Sequence, residues 1–141
     1  MTASRLAHLL LSLWLTACGL ACENAATVTA PTSTTSPVTE TFASRITIGG
    51  GASRAFSVAE SGAVSVTLTD VGPPSGVVVG LGIGIPRSDS VGCNLSQAVL
   101  TAGSSDAQLT ATVEAGSYCA RIYDVGNLTG EVSFSITIMH P

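Results

Sequence analysis

From Phe42 to Pro141 apolar residues fall on alternate positions, in short runs broken by Gly and Pro. A period of two is the mark of a strand with one buried face; a helix would need a period near 3.6. Glu131–Met139 alternates strictly, with Val132, Phe134, Ile136 and Ile138 against Ser133, Ser135, Thr137 and Met139. Ala63–Val71 places Val64, Val66 and Leu68 inward and Ser65, Thr67 and Thr69 outward. Thr41–Ile48 sets Phe42, Ile46 and Ile48 on one parity, and Gly49-Gly50-Gly51 ends it. Phe56 and Val58 mark a second strand, with a turn at Glu60-Ser61-Gly62. Gln108–Val113 aligns Leu109, Ala111 and Val113. Gly116–Asp124 sets Tyr118, Ala120 and Ile122 against Cys119, Arg121 and Tyr123. Leu95–Thr101 reads as a strand or one helical turn. Seven or eight short strands predict an all-β domain: a small antiparallel β-sandwich, jelly-roll or immunoglobulin-like.

One strand is unusual. Val77–Ile85 carries Val77, Val79, Leu81, Ile83 and Ile85 on one parity and Val78, Gly80, Gly82 and Gly84 on the other. Two readings fit: a neighbouring segment lies over the glycine stripe, or the strand coils sharply and the glycines relieve crowding. The chain entropy that spaced glycines forfeit favours a covered face.

Composition narrows the function. Charged residues make up 10% of the 141, with five Arg, no Lys and nine acids, for a net charge of −4. That is the opposite of a nucleic-acid footprint, so no nucleic-acid partner is expected. His8 and His140 lie at opposite ends of the chain, which leaves no histidine pair for catalysis or metal. No G-x-S-x-G elbow occurs. Gly80-Leu81-Gly82-Ile83-Gly84 lacks the spacing and following helix of a nucleotide loop. No catalytic residue, cofactor or metal is expected, and the chain reads as a non-enzyme. Asp70 and Asp124 both open an Asp-Val-Gly sequence at a strand end, where a carboxylate can accept from a backbone N–H two residues on. Calcium at Asp70 or Asp124 with Asp89 or Asp106 would want six to eight oxygens, which no D-x-D-x-D cluster supplies. A row of exposed aromatics, as on a carbohydrate-binding module, is missing from the pattern. Polar binding loops stay open.

The N-terminus reads as an export signal over residues 1–17: Arg5 precedes the apolar run Leu9, Leu10, Leu11, Leu13, Trp14 and Leu15. That run is shorter than the roughly 20 residues of a membrane span. Leu15-Thr16-Ala17-Cys18 resembles the lipobox of bacterial lipoproteins. The resemblance implies acylation of Cys18, cleavage before it and anchoring in a lipid bilayer, which several acyl chains hold stably. Gly19 after the cysteine resembles outer-membrane sorting. Ordinary secretion or a periplasmic location is the alternative. Cys22 is an odd thiol. Residues 18–41 form a tether whose Ala25–Thr41 stretch has seven Thr, two Ser and two Pro. Such a segment buries too little to offset its ordering entropy.

Cys93 and Cys119 are the two cysteines of the 42–141 domain. In an exported chain such a pair is most simply a disulfide.

Gly116-Ser117-Tyr118-Cys119-Ala120-Arg121-Ile122-Tyr123-Asp124, followed by Gly126-Asn127-Leu128-Thr129-Gly130, resembles the end of bacterial pre-peptidase C-terminal domains. Phe56-Ser57-Val58 and the Gly62–Leu68 strand resemble their core pattern. The resemblance covers roughly residues 42–141 and implies a non-catalytic sandwich of exported proteins. That family often appends it to a protease. With the last strand pattern running to the final residues, the expectation is a free-standing module. Its partners would be the bilayer and an envelope protein or glycan, and the alternative is a dedicated glycan- or peptide-binding module.

Overall fold

A computed structural model describes residues 36–89 and 91–141. They form eight strands: β1 (Val38–Ile46), β2 (Gly51–Val58), β3 (Gly62–Gly72), β4 (Val79–Pro86), β5 (Cys93–Thr101), β6 (Leu109–Val113), β7 (Gly116–Tyr123) and β8 (Val132–His140). They build two four-stranded antiparallel sheets, ordered β1-β8-β3-β6 and β2-β7-β4-β5. β1 pairs with β8, β2 with β7, β3 with β6 and β4 with β5. The chain is thus one long hairpin wrapped upon itself, which is the jelly-roll arrangement. The predicted sandwich is present.

The alternation read from the sequence becomes two facing apolar layers. Val64, Val66 and Leu68 of β3 and Ile136 and Ile138 of β8 meet Leu81 of β4 and Ile122 of β7, all at 1% exposure or less. Each such side chain contributes about 1.5–3 kcal/mol by leaving water. Phe42 meets Phe134 edge to face, with ring centroids 5.0 Å apart. The outward positions carry hydroxyls: Thr41, Thr137 and Thr67 lie side by side across β1, β8 and β3.

β1 opens at Val38, ahead of the Thr41–Ile48 pattern, and Ile48 sits 62% exposed in the following turn. The reason is β8, whose full length offers pairing from Val132 to His140, so Val38–Thr41 join the ladder despite a tether-like composition. Leu95–Thr101 belongs to strand β5. Ile85, assigned inward by parity, is 60% exposed, because β7 accompanies β4 only as far as Gly84. The short β6 is continued by a side chain. The Gln108 amide accepts from the Leu68 N–H at 2.7 Å and donates to the Leu68 carbonyl at 3.2 Å, imitating one more backbone pair.

Where the two sheets approach along β1 and β2, polar groups replace aliphatics. Glu40 lies 3.7 Å from Arg54 and 3.3 Å from the His140 ring, which stacks on Phe56 at 5.4 Å. Among the described residues no buried side-chain nitrogen or oxygen lacks a hydrogen-bond partner.

Candidate functional site

The outer face of the β2-β7-β4-β5 sheet gathers the unusual features of the sequence. Its β4 surface is the glycine stripe, and that stripe is covered. The Tyr123 ring of β7 sits over Gly80, with Cζ, Cε1 and Cε2 all crowding the place a Cβ would take. The Leu95 side chain of β5 lies over Gly82, its methyls 2.7 and 2.8 Å from that place. At Gly84 the obstacle is backbone: the Asn94 carbonyl fills the Cβ position and the Leu95 Cα is 2.8 Å from it.

The disulfide explains the crossing at Gly84. Cys93 and Cys119 are bonded, with Cα atoms 5.9 Å apart. They belong to β5 and β7, which flank β4. Strands two apart in a flat sheet would stand roughly 9.5 Å from each other. The start of β5 therefore leans over β4 to reach β7, and only a residue without Cβ fits beneath it. A bulge at Ser96 permits the lean: the register slips between Ile83 and Gly84, and the Ser96 hydroxyl donates to the Ile83 carbonyl at 3.1 Å.

The lean also carries the β4–β5 connection across the sheet. Gly51, Ala52 and Ser53 of β2 and Arg121 of β7 form one wall of a cleft of about 280 Å³. Arg87, Asp89, Val91 and Gly92 of the connection form the other. The connection is braced locally. The Arg87 N–H donates to the Gly92 carbonyl at 3.0 Å, and the Arg87 stem packs against Gly92, where a Cβ would obstruct it. Asp89 accepts from the N–H groups of Val91 (3.1 Å) and Gly92 (3.3 Å). Those bonds, Val91's first, and the nearby Arg87 charge hold its carboxyl below the ordinary aspartate value. Arg121 lies over the Tyr123 ring, 5.7 Å from its centroid.

The Asp-Val-Gly reading applies to one of its two instances. Asp124 accepts from Gly126, Asn127 and Leu128 through Oδ1 and from Gly49 through Oδ2. Asp70 instead lies within β3 at a register shift opposite Ser135, and its carboxylate makes no such bond among the described residues. Asp70, Asp89, Asp106 and Asp124 do not converge, and no group of three or more His, Cys, Asp or Glu side chains does so among the described residues. Cys18, Cys22 and the Leu15–Cys18 motif lie outside the described residues. Sequence parity had already put Cys119, Arg121 and Tyr123 on one face; it had no means of bringing Arg87 to them.

No family model matches this chain, and no curated protein matches it.

Proposed function

We propose that this protein is a non-catalytic interaction module of the cell envelope, exported, acylated at Cys18 and held off an outer membrane by its Thr-rich tether. The observation that carries the reading is the Cys93–Cys119 bond in a small sandwich. Disulfides of this kind belong to oxidising compartments outside the cytosol. The basic and apolar run before Leu15-Thr16-Ala17-Cys18 supplies a route there, and the likeness of Gly116–Gly130 to pre-peptidase domains supports a non-catalytic role in an exported protein. The non-catalytic assignment draws on where reactive groups are committed: His140 stacks on Phe56, while Asp89 and Asp124 hold backbone N–H groups.

The test is expression in an exporting bacterial host. The chain should fractionate with membranes and carry acyl mass on Cys18. Cys18→Ser should leave uncleaved precursor or soluble material. Unchanged mass and location in that variant would refute the anchor. A second reading, a dedicated glycan-binding module, is favoured by the arginine-lined cleft beside β7.

A further inference from the structure

We infer that the cleft between the β4–β5 connection and strands β2 and β7 binds the carboxylate of an acidic saccharide, with Arg87 and Arg121 as the anion-recognising side chains. The inference rests on the second, glycan-binding reading and gives it a ligand class.

Charge placement is the first argument. The chain has net charge −4, yet two of the four arginines of the described residues, Arg87 and Arg121, line this one cleft. Arg45 and Arg54 are each paired with a glutamate elsewhere, and Arg87 is paired with Asp89 within the cleft. Arg121 has no carboxylate within 4.0 Å among the described residues, and its contact is the Tyr123 ring. Stacking on an aromatic face leaves the edge of the guanidinium, with its fork of donors, free for a planar oxyanion. The cleft's own carboxylate offsets one of the two arginine charges and leaves the other. Asp89 is engaged by two backbone N–H groups and stands 3.9 Å from the Arg87 Nε. The local balance of Arg87, Asp89 and Arg121 is one positive charge.

Preorganisation is the second argument. Cys93 follows directly on Gly92, and Cys119 precedes Arg121 by two positions on the same face of β7. The disulfide therefore fixes the wall bearing Arg87 against the strand bearing Arg121. A site held by a covalent cross-link binds without first ordering a loop.

The surroundings choose the ligand class. Ser53, directly opposite Arg121, lines the cleft, and beyond the Ala55–Cys119 pair the same outer face carries the paired Ser57 and Ser117. Hydroxyls beside a cationic cleft suit a polymer bearing both hydroxyls and carboxylates. The cleft is small, about 280 Å³, just under the range of roughly 300–1,000 Å³ for small-molecule sites.

The experiment uses the purified full chain and measures its affinity for polygalacturonate, with the neutral polymer dextran and inorganic sulfate in parallel. Polygalacturonate should bind and dextran should not. Arg121→Gln and Arg87→Gln should each weaken binding tenfold or more. Arg45→Gln, which removes the same charge from the other sheet, should stay within twofold. Reduction of the disulfide should weaken binding in wild type. Equal loss in all three arginine variants would mean diffuse electrostatics and would overturn the site. Absence of polygalacturonate binding, or sulfate binding as tightly as the polymer, would overturn the saccharide assignment. Acyl mass on Cys18 is read separately. Acylation without binding removes this site and leaves the tethered module standing; binding without acylation does the reverse.

Discussion

The Oδ2 atom of Asp124 accepts the N–H of Gly49 at 2.8 Å, across 75 positions of sequence. Gly49 has a φ of +68° and lies in the β1–β2 turn, while Asp124 begins the β7–β8 connection. A second bond, from the Asp124 N–H to the Gly50 carbonyl at 2.9 Å, runs alongside. One carboxylate thus joins two loops at the same end of the sandwich.

That clamp predicts an acid response. The Gly49 N–H, together with those of Leu128, Gly126 and Asn127, lowers the Asp124 pKa below its ordinary 3.8. A carboxyl depressed by folding contributes stability that is fully present above its unfolded value and is lost as pH falls through the folded value. Unfolding free energy should therefore decline as pH drops below about 4, the unfolded range for aspartate. Asp124→Ala should melt lower than wild type at neutral pH, and the two should converge in acid. Parallel curves, with the same gap at neutral and low pH, would refute the ionic part of this account.

The glycine stripe makes a graded prediction. Gly84→Ala collides with the Asn94 backbone, which cannot rotate away, and should be the most destabilising alanine change among the three stripe glycines. Gly82→Val meets the flexible Leu95 methyls and then the Gln97 carbonyl at 3.0 Å, and should cost about 1–3 kcal/mol, as overpacking does. Gly80→Ala displaces the Tyr123 ring, so Tyr123→Ala should relieve part of its cost. Denaturant melts of the series check the order. A stabilised Gly82→Val, as strand propensity alone would give, would contradict the covered face.

The disulfide should matter out of proportion to its size. Closing a loop of 26 positions is worth about 3.5 kcal/mol on the chain-entropy estimate. Small domains hold only about 5–15 kcal/mol in total. Reduction should lower the melting temperature by about 10 °C or more. Intact mass should show the loss of two hydrogens, mapped to the Cys93 and Cys119 peptides. Labelling of both thiols in the native exported protein would contradict the bond.

Alternation of apolar residues, readable one strand at a time, determined that this chain makes strands and which face of each is buried. Val64–Leu68, Val79–Ile83 and Val132–Ile138 needed no further information, because burial of one face is a property of a strand's own two-residue period. The cysteine pairing was equally legible, since two cysteines in a domain leave one partner each. Sequence left open whether the sandwich is jelly-roll or immunoglobulin-like, because strand order depends on pairings between distant segments such as β1 with β8, which no local pattern encodes. It misplaced the start of β1, because pairing to β8 outweighed a weakly apolar composition at Val38–Thr41. It marked Arg121 and Tyr123 as neighbours on one face but gave Arg87 no place. Only the tertiary structure decided that: the lean of β5 over Gly84, drawn by the bond from Cys93 to Cys119, brings the Arg87 connection across the sheet to Arg121.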